Sequence, residues 1–471
     1  MSSVDLEAKI PNNVGLRDNK RLMMALEKWQ PKFLEWWANM GPTDFNTADV
    51  YLRTAIGVGQ GGWAHYDYVK MPDYRWGIFL ADAPADRKIH FGDQIGEKAW
   101  QEVPGEFRNR LRRLIVTQGD TEPASVEQQR MLGHCCPSLY DLRSLFQVNV
   151  EEGRHLWAMV YLLQTHFGAD GRDEAEAMLE RHSGDQDPRI LQAFNYPVNN
   201  WLDFFCFTAF MDRDGKYQLA SLAESSFDPL ARTTQFMLAE EAYHLQTGEN
   251  GVGRIVKRTG EIMAEGKDPR TVGAIPLEIV QRYVNFWFTG SMDLFGGEDS
   301  TNAAEAFAMG LKGRYRESDG IYKDPKALNA NYALEVPTED GKIEKKDIPL
   351  RRAMNAVLLD AYIADCKRIV ERWNRDLDKL GVKTHIQLPD RKFNRHQGIY
   401  AGFRFNPQGE IIDEATWTKH HTDWLPTQAD RDYVQSCMVR VTEPGKFANY
   451  IAPPQQGPNN QPIEFEYVKF H

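Results

Sequence analysis

Apolar residues recur every three or four positions through much of the first 380 or so residues, the spacing that gives an α-helix one buried face. The clearest run follows Ser138, a residue type that caps helix starts, and stops at Gly168, a residue type that ends helices. Pro229 and Gly248 bracket another helix in the same way, and Pro31 predicts a kink or break in the first one. The pattern predicts helices over 20–40, 105–118, 138–168, 172–182, 198–211, 229–248, 275–296, 302–312 and 347–380.

The pattern changes in two later stretches. Residues 320–347 are charged and interrupted by Pro and Gly, which predicts a surface excursion between helices. After about residue 384, short β-prone runs alternate with turns, as in GIYAGFRFNPQGEI and IEFEYVKF. We therefore predict an all-α protein with a helical domain over 1–383 and a strand-and-loop extension over 384–471 that packs against it.

Composition narrows the class of protein. The 471 residues carry a net charge of −11, which argues against general nucleic-acid binding because that requires a basic face. No apolar stretch approaches the roughly 20 residues that span a bilayer, and the N-terminal residues do not resemble a secretory leader. We therefore expect a cytoplasmic protein without membrane contact. The cysteines lack C-x-x-C spacing and are expected to be reduced thiols: Cys135, Cys136, Cys206, Cys366 and Cys437.

Two Glu-x-x-His motifs carry the candidate chemistry. Glu152 precedes His155, and Glu241 precedes His244, each inside a strongly periodic helix. Residues three apart share one face of a helix, so the carboxylate and the imidazole of each motif can reach the same metal ion. Apolar neighbours indicate that both pairs point into the core, where a carboxylate requires a partner. A metal site is the interpretation we favour over a buried ion pair.

A two-metal site in a four-helix bundle requires one further carboxylate from each of two other helices. Glu122 lies 30 residues before Glu152, and Asp212 lies 29 residues before Glu241, which fits two helical hairpins of similar length. Oxygen-rich ligation with one imidazole per ion suits iron and leaves positions open for O₂. The spacing predicts a ferritin-like diiron core with additional helices. It leaves rival ligands open, namely Glu127 for the first carboxylate, and Asp203 or Asp214 for the second.

Three neighbours of these residues allow two interpretations each. Glu151 and Glu240 immediately precede the two motif glutamates, and they either orient the imidazoles or lie on solvated helix faces. Gln118 either lines the site or is an ordinary surface glutamine.

Several segments resemble the oxygenase components of benzoyl-CoA 2,3-epoxidases and the related catalytic subunits of phenylacetyl-CoA epoxidases. The resemblance covers essentially the whole chain, including NNVGLRDNKRLMMALEKWQPKFLEWW, VNVEEGRHLWAMVYLL and MLAEEAYHL. It implies O₂-dependent epoxidation of the benzoyl-CoA ring at the 2,3 bond, with electrons from NADPH through a separate flavin and iron–sulfur reductase. It also implies two irons, with Glu152 and Glu241 as catalytic, bridging residues. The implied ligands are Glu122, Glu152, His155, Asp212, Glu241 and His244.

Other classes of protein use similar helices. An acyl desaturase and the radical subunit of a ribonucleotide reductase share the motif, and Tyr161 and Tyr243 lie on the ligand helices, where a radical enzyme needs a tyrosine. An iron-storage protein of ferritin type is disfavoured because one bundle requires a far shorter chain.

Two other patterns are weaker. Residues 57–62 match G-x-G-x-x-G, with Asp82 following, but the segment after them is too short for the helix of a dinucleotide-binding unit. Some basic residues are candidates to bind the phosphates of coenzyme A, although such residues more often lie on a solvated surface. The candidates are Arg108, Arg110, Arg112, Arg113, Arg391, Lys392 and Arg395.

Overall fold

The computed structural model describes residues 18–53, 68–71, 76, 86–455 and 468–470. Most of these residues are helical, and the predicted all-α class is confirmed. The helices are α1 (Lys20–Met40), α2 (Arg108–Gly119), α3 (Thr121–Gln129), α4 (Leu139–His166), α5 (Gly168–Glu180), α6 (Trp201–Ala223), α7 (Asp228–Ala264), α8 (Leu277–Asp293), α9 (Thr301–Ala308), α10 (Met354–Lys379), α11 (Glu414–Trp424) and α12 (Gln428–Cys437). The strands are β1 (Ala48–Arg53), β2 (Tyr68–Met71), β3 (Asn331–Pro337), β4 (Ile343–Pro349), β5 (Arg404–Phe405), β6 (Ile411–Ile412) and β7 (Val468–Phe470).

Helix α4 is the centre of the fold. The side chain of Ser138 accepts a hydrogen bond from the backbone N–H of Asp141, which is the predicted N-cap. Nearly every residue of α4 is buried, and a helix that is buried on all sides requires neighbours around it. Trp29 and Phe33 of α1 pack edge-on against Trp157 of α4, with ring centroids 5.1 and 5.7 Å apart. Helices α3 and α7 also pack against α4, and α6 packs against α7.

Helix α7 differs from the prediction because Gly248 does not end it. The helix continues to Ala264, and both Gly248 and Gly251 face α6. A Cβ atom at Gly248 would lie 2.5 Å from the carbonyl carbon of Thr208, and one at Gly251 would meet the ring of Phe205. The glycines therefore allow two helix backbones to approach closely, so they serve packing rather than termination.

Two prolines are accommodated without breaking a helix. Helix α1 is continuous through Pro31, so the predicted break is absent. Pro123 lies in the first turn of α3, where a missing N–H costs little because that group has no partner within the helix. The helix begins at Thr121, and Glu122 therefore lies at its N-terminal end.

The later segments contain more regular structure than the pattern predicted. Residues 320–347 contain β3, which pairs antiparallel with the largely exposed β4. The segment after residue 384 contains the predicted short strands but also α11 and α12, which were not predicted. Val434 of α12 and Tyr450 pack into the main hydrophobic core, and β7 pairs antiparallel with β1. The domain division at residues 383 and 384 stays a prediction.

Among the described residues, no helix combines the length and apolar character needed to cross a bilayer.

Candidate metal centre

Four helices bring six carboxylate and imidazole side chains together in the interior. Each is at most 6% exposed to solvent. Helices α4 and α7 contribute one Glu-x-x-His pair each, and α3 and α6 contribute one carboxylate each. The six residues are Glu122 in α3, Glu152 and His155 in α4, Asp212 in α6, and Glu241 and His244 in α7.

The two histidines define two halves of this cluster. In the first half, Nδ1 of His155 lies 3.3 Å from Oε2 of Glu122. In the second half, Nδ1 of His244 lies 4.0 Å from Oδ2 of Asp212. The imidazole ring centroids are 5.8 Å apart. Each half therefore has its own imidazole and its own carboxylate.

Glu152 and Glu241 belong to both halves. Oε2 of Glu152 lies 3.6 Å from Nδ1 of His155, and Oε1 of Glu152 lies 3.6 Å from Nδ1 of His244. Oε1 of Glu241 lies 3.8 Å from Nδ1 of His155, and its Oε2 lies 3.6 Å from Nδ1 of His244. Each carboxylate thus presents one oxygen to each half, as a bridging ligand between two metal ions does.

The separations and the unsatisfied atoms both fit metal binding. Two ligand atoms about 2.1 Å from a shared ion lie roughly 3 to 4 Å apart, the range observed here. Among the described residues, no hydrogen-bond partner meets Nδ1 of His155, Nδ1 of His244, Oδ2 of Asp212 or Oε2 of Glu241. A buried polar atom without a partner costs about 1–3 kcal/mol, and a bound ion would satisfy all four.

The electrostatics of the cluster point the same way. Burial, reinforced by neighbouring carboxylates, raises the pKa of Glu152, Asp212 and Glu241 well above the usual range. Burial opposes protonation of His155, but the adjacent glutamates raise its pKa, whereas burial and His155 lower the pKa of His244. A raised pKa favours the protonated form of these three carboxyl groups, and divalent ions displace such protons when they bind. The donor set fits two divalent metal ions.

Comparison with known proteins agrees with this geometry. Residues 101–336 match the family model described as phenylacetic acid catabolic protein, and this range contains all six residues of the cluster. The chain is also 56% identical over 474 residues to benzoyl-CoA oxygenase component B of Aromatoleum evansii, covering 99% of this chain and 100% of that protein. The chain belongs to the phenylacetic acid catabolic protein family. It is an oxidoreductase with the all-α, ferritin-like fold expected from the resemblance.

In this family member, two more glutamates contact the outer nitrogens of the imidazoles. Glu151 of α4 lies 3.0 Å from Nε2 of His244, and Glu240 of α7 lies 3.2 Å from Nε2 of His155. Each glutamate therefore acts on the histidine of the opposite helix, and both are buried rather than solvated. With a glutamate beside Nε2 of each ring, Nδ1 of each ring faces the carboxylates of the cluster.

Arg154 was not singled out from the sequence, although it lies inside the first Glu-x-x-His motif. Its guanidinium forms a buried salt bridge with Glu240 and lies 3.5 Å from Oε1 of Glu151. It thus offsets the charge of both outer glutamates. The signal in the sequence for its contact with Glu151 is that the two residues lie three positions apart on one predicted helix.

The rival carboxylates are directed to other partners. Glu127 accepts hydrogen bonds from Nη2 of Arg189 at 2.8 Å and from Nε1 of Trp36 at 2.9 Å. Asp203 accepts from the Nε1 group of Trp287 at 3.0 Å. Asp214 accepts from Nε2 of Gln218 at 2.8 Å. The structure brings Glu122 and Asp212, and not these three residues, to the histidines.

Gln118 and Thr121 lie next to Glu122. Nε2 of Gln118 donates to Oε1 of Glu122 at 3.1 Å, and the hydroxyl of Thr121 lies 3.5 Å from the same oxygen. Gln118 therefore lines the site, which was one of its two predicted roles.

Most of the predicted basic candidates are engaged elsewhere. Arg108 donates to the carbonyl oxygens that end α4, and Arg112 pairs with Asp170. Lys392 and Arg395 form ion pairs with acidic side chains, as Arg391 does. Arg110 pairs with an exposed glutamate, and Arg113 is exposed. The glycine-rich segment 57–62 and Asp82 lie outside the described residues.

Proposed function

We propose that this protein is the oxygenase component of a benzoyl-CoA epoxidase that holds two irons in the two halves of the cluster. One observation carries the proposal: Glu152 and Glu241 each present one oxygen to each histidine-containing half. The name of the related Aromatoleum evansii protein supplies the substrate class. Carboxylate-rich ligation with one imidazole per ion suits iron that cycles between oxidation states.

The proposed reaction adds one atom of O₂ across the 2,3 bond of the benzoyl ring. The other oxygen atom leaves as water, which consumes two electrons and two protons. Bound iron supplies the O₂ chemistry. The electrons come from NADPH through a separate flavin and iron–sulfur reductase. Iron–sulfur clusters are held by cysteine thiolates. The cysteines of this chain are free, and the candidate metal-ligand groups among the described residues contain no cysteine, which supports a separate component for electron transfer.

The residues of the cluster have three roles: some would hold the ions, some orient the imidazoles, and their burial excludes water. Glu152 and Glu241 would contribute to both ion sites, Glu122 and His155 would complete the first, and Asp212 and His244 would complete the second. Glu151 and Glu240 orient the imidazoles from outside. Burial of the cluster keeps bulk water away, which strengthens every charge interaction inside it.

The test joins metal content to turnover. We expect about two irons per chain after anaerobic reconstitution, and an oxygenated product from benzoyl-CoA with O₂ and a reductase. His155→Ala and His244→Ala should lose iron and turnover together, whereas His385→Ala, which removes a histidine paired with Asp378 away from the cluster, should keep both. Full iron and full turnover in either cluster variant would overturn the assignment.

A radical enzyme on the same scaffold finds less support. The hydroxyl of Tyr243 donates to Oγ of Ser144 at 3.0 Å. Ser144 lies two helical turns before Glu152, about 12 Å along the axis of α4. Tyr161 follows His155 by six residues, about 9 Å along that axis. Neither position favours a tyrosine radical beside the metals. Product analysis distinguishes ring oxygenation from acyl-chain desaturation.

A further inference from the structure

A cavity of about 130 Å³ lies next to the metal cluster, between α2, α6 and the segments that precede α6 and follow α8 and α9. Gln118 and Thr121 form part of its wall. The same two side chains contact Oε1 of Glu122, so the cavity adjoins the first half of the cluster.

The dimensions and the lining of the cavity suit an aromatic ring. Engineered apolar cavities of about 150 Å³ bind benzene. Apolar side chains form much of the wall, and they are Leu114, Leu191, Phe194, Leu222 and Leu294. A benzoyl ring would exchange contact with water for contact with these side chains, which is favourable for apolar surface.

One wall of the cavity carries an ammonium group. Nζ of Lys312 donates to Oε1 of Gln218 at 2.5 Å, and Nε2 of Gln218 donates to Oδ1 of Asp214 at 2.8 Å. This chain fixes the position of the ammonium. A lysine has three N–H donors, and Gln218 is its hydrogen-bond partner among the described residues. Two donors therefore remain, and because Lys312 lines the cavity they can meet a ligand there.

Basic residues lie one helical turn from the cavity wall on the same face of α2. Arg110 and Arg113 precede Leu114 and Thr117 by four residues each. Arg113 is exposed, and the partner of Arg110 is Glu305, with both side chains 42% exposed. An ion pair this exposed contributes little, so phosphate groups can replace it. The surface beside the cavity thus suits an anionic ligand.

We propose that this cavity binds the aromatic acyl group of a coenzyme A thioester, with the Lys312 ammonium donating a hydrogen bond to the thioester carbonyl oxygen. The proposal rests on the proposed function and names the part of the site that selects the substrate. Lys312 is a positioning residue, because it holds the acyl group and does not contact the metal cluster. The ring then occupies the apolar part of the cavity, on the side of Gln118 and Thr121.

The first experiment measures binding of two ligands to the iron-loaded, oxidised enzyme by calorimetry, without reductase so that no turnover occurs. The ligands are benzoyl-CoA and S-benzyl-CoA, which has a methylene in place of the carbonyl. Lys312→Met should weaken benzoyl-CoA binding about 10- to 100-fold, the value of a hydrogen bond to a charged group, and leave S-benzyl-CoA binding unchanged. Lys323→Met, at an exposed position, should change neither.

A second variant fills the cavity. A Cβ at Gly215 meets no atom within 4 Å, and the residue lines the cavity, so Gly215→Leu places a side chain in open space. This variant should keep its iron and lose binding of both ligands.

The outcomes separate the two proposals. If the wild-type enzyme converts benzoyl-CoA but the Lys312 and Gly215 variants bind both ligands as the wild type does, the cavity is not the acyl-binding site and the proposed function stands. Equal weakening of both ligands by Lys312→Met would overturn the carbonyl contact. An iron-loaded wild type that binds neither ligand would overturn the proposed substrate and the pocket together.

Discussion

The close approach of α6 and α7 predicts that Gly248→Ala damages the metal centre without touching a ligand. The added Cβ would lie 2.5 Å from the carbonyl carbon of Thr208, whereas ordinary contacts begin at 3.4 Å. The two helices must separate locally by about 1 Å, because backbone atoms cannot rotate away as side chains do. Such overpacking costs about 1–3 kcal/mol, partly offset by about 0.5–1 kcal/mol from the better helix propensity of alanine.

The same separation should weaken one half of the cluster. Asp212 lies one turn after Thr208 on α6, and His244 lies one turn before Gly248 on α7. Their facing atoms are already 4.0 Å apart, so moving the helices apart removes this pair from a shared ion first. We expect metal content to fall from two ions toward one, because Glu122 and His155 are held by α3 and α4.

Gly215→Ala is the matched control, since a Cβ there meets nothing within 4 Å on the same α6. It should raise the free energy of unfolding by a few tenths to about 1 kcal/mol and keep both ions. Urea denaturation followed by circular dichroism, with metal analysis by mass spectrometry, measures both quantities. If Gly248→Ala matches the control in stability and in metal content, close helix packing does not position the centre.

Three further predictions concern buried charges. Arg254→Met leaves Asp141 buried without its bidentate partner, and should lower the free energy of unfolding by about 3–5 kcal/mol in urea denaturation. Glu240→Gln weakens the contact that orients an imidazole, and should reduce iron affinity about 10- to 100-fold in a chelator competition assay. Burial alone would raise the pKa of Asp365, but cations led by Arg213 lower it, so its stabilising effect exists above about pH 4 and is lost as pH falls further. Asp365→Asn should therefore cost about 1–3 kcal/mol at pH 7 and progressively less below pH 4, measured by urea denaturation across pH.

Control variants on α7 accompany the predictions for Arg254 and Glu240, which lie on the same helix. Arg258→Met and Glu261→Gln change half-exposed charges of α7, and both should leave stability and iron affinity nearly unchanged. A loss in Arg254→Met no larger than in Arg258→Met would contradict the argument for a buried pair. Equal iron affinity in the two glutamate variants would show that Glu240 does not orient the ligand. A pH-independent cost in Asp365→Asn would refute the electrostatic account of that residue.

Local sequence was a good guide wherever a side chain acts on its own helix. Ser138 caps α4 as expected, because a cap depends only on residues three positions apart. The Glu-x-x-His spacing places each glutamate beside its histidine for the same reason. Local signals misled where a residue serves a neighbouring helix. Gly248 has the composition of a helix end, but its function is to admit the backbone of α6.

The sequence by itself determined the helical class, the two Glu-x-x-His pairs and the chemistry that such pairs favour. It could not choose between Asp212 and Asp214, since both lie on the same helix and only the packing of that helix decides which carboxylate meets α7. Nor could it show that Glu151 and Glu240 act on the histidine of the opposite helix. Those contacts, and the cavity beside Glu122, depend on how helices distant in sequence are rotated against each other, and tertiary packing alone determines that rotation.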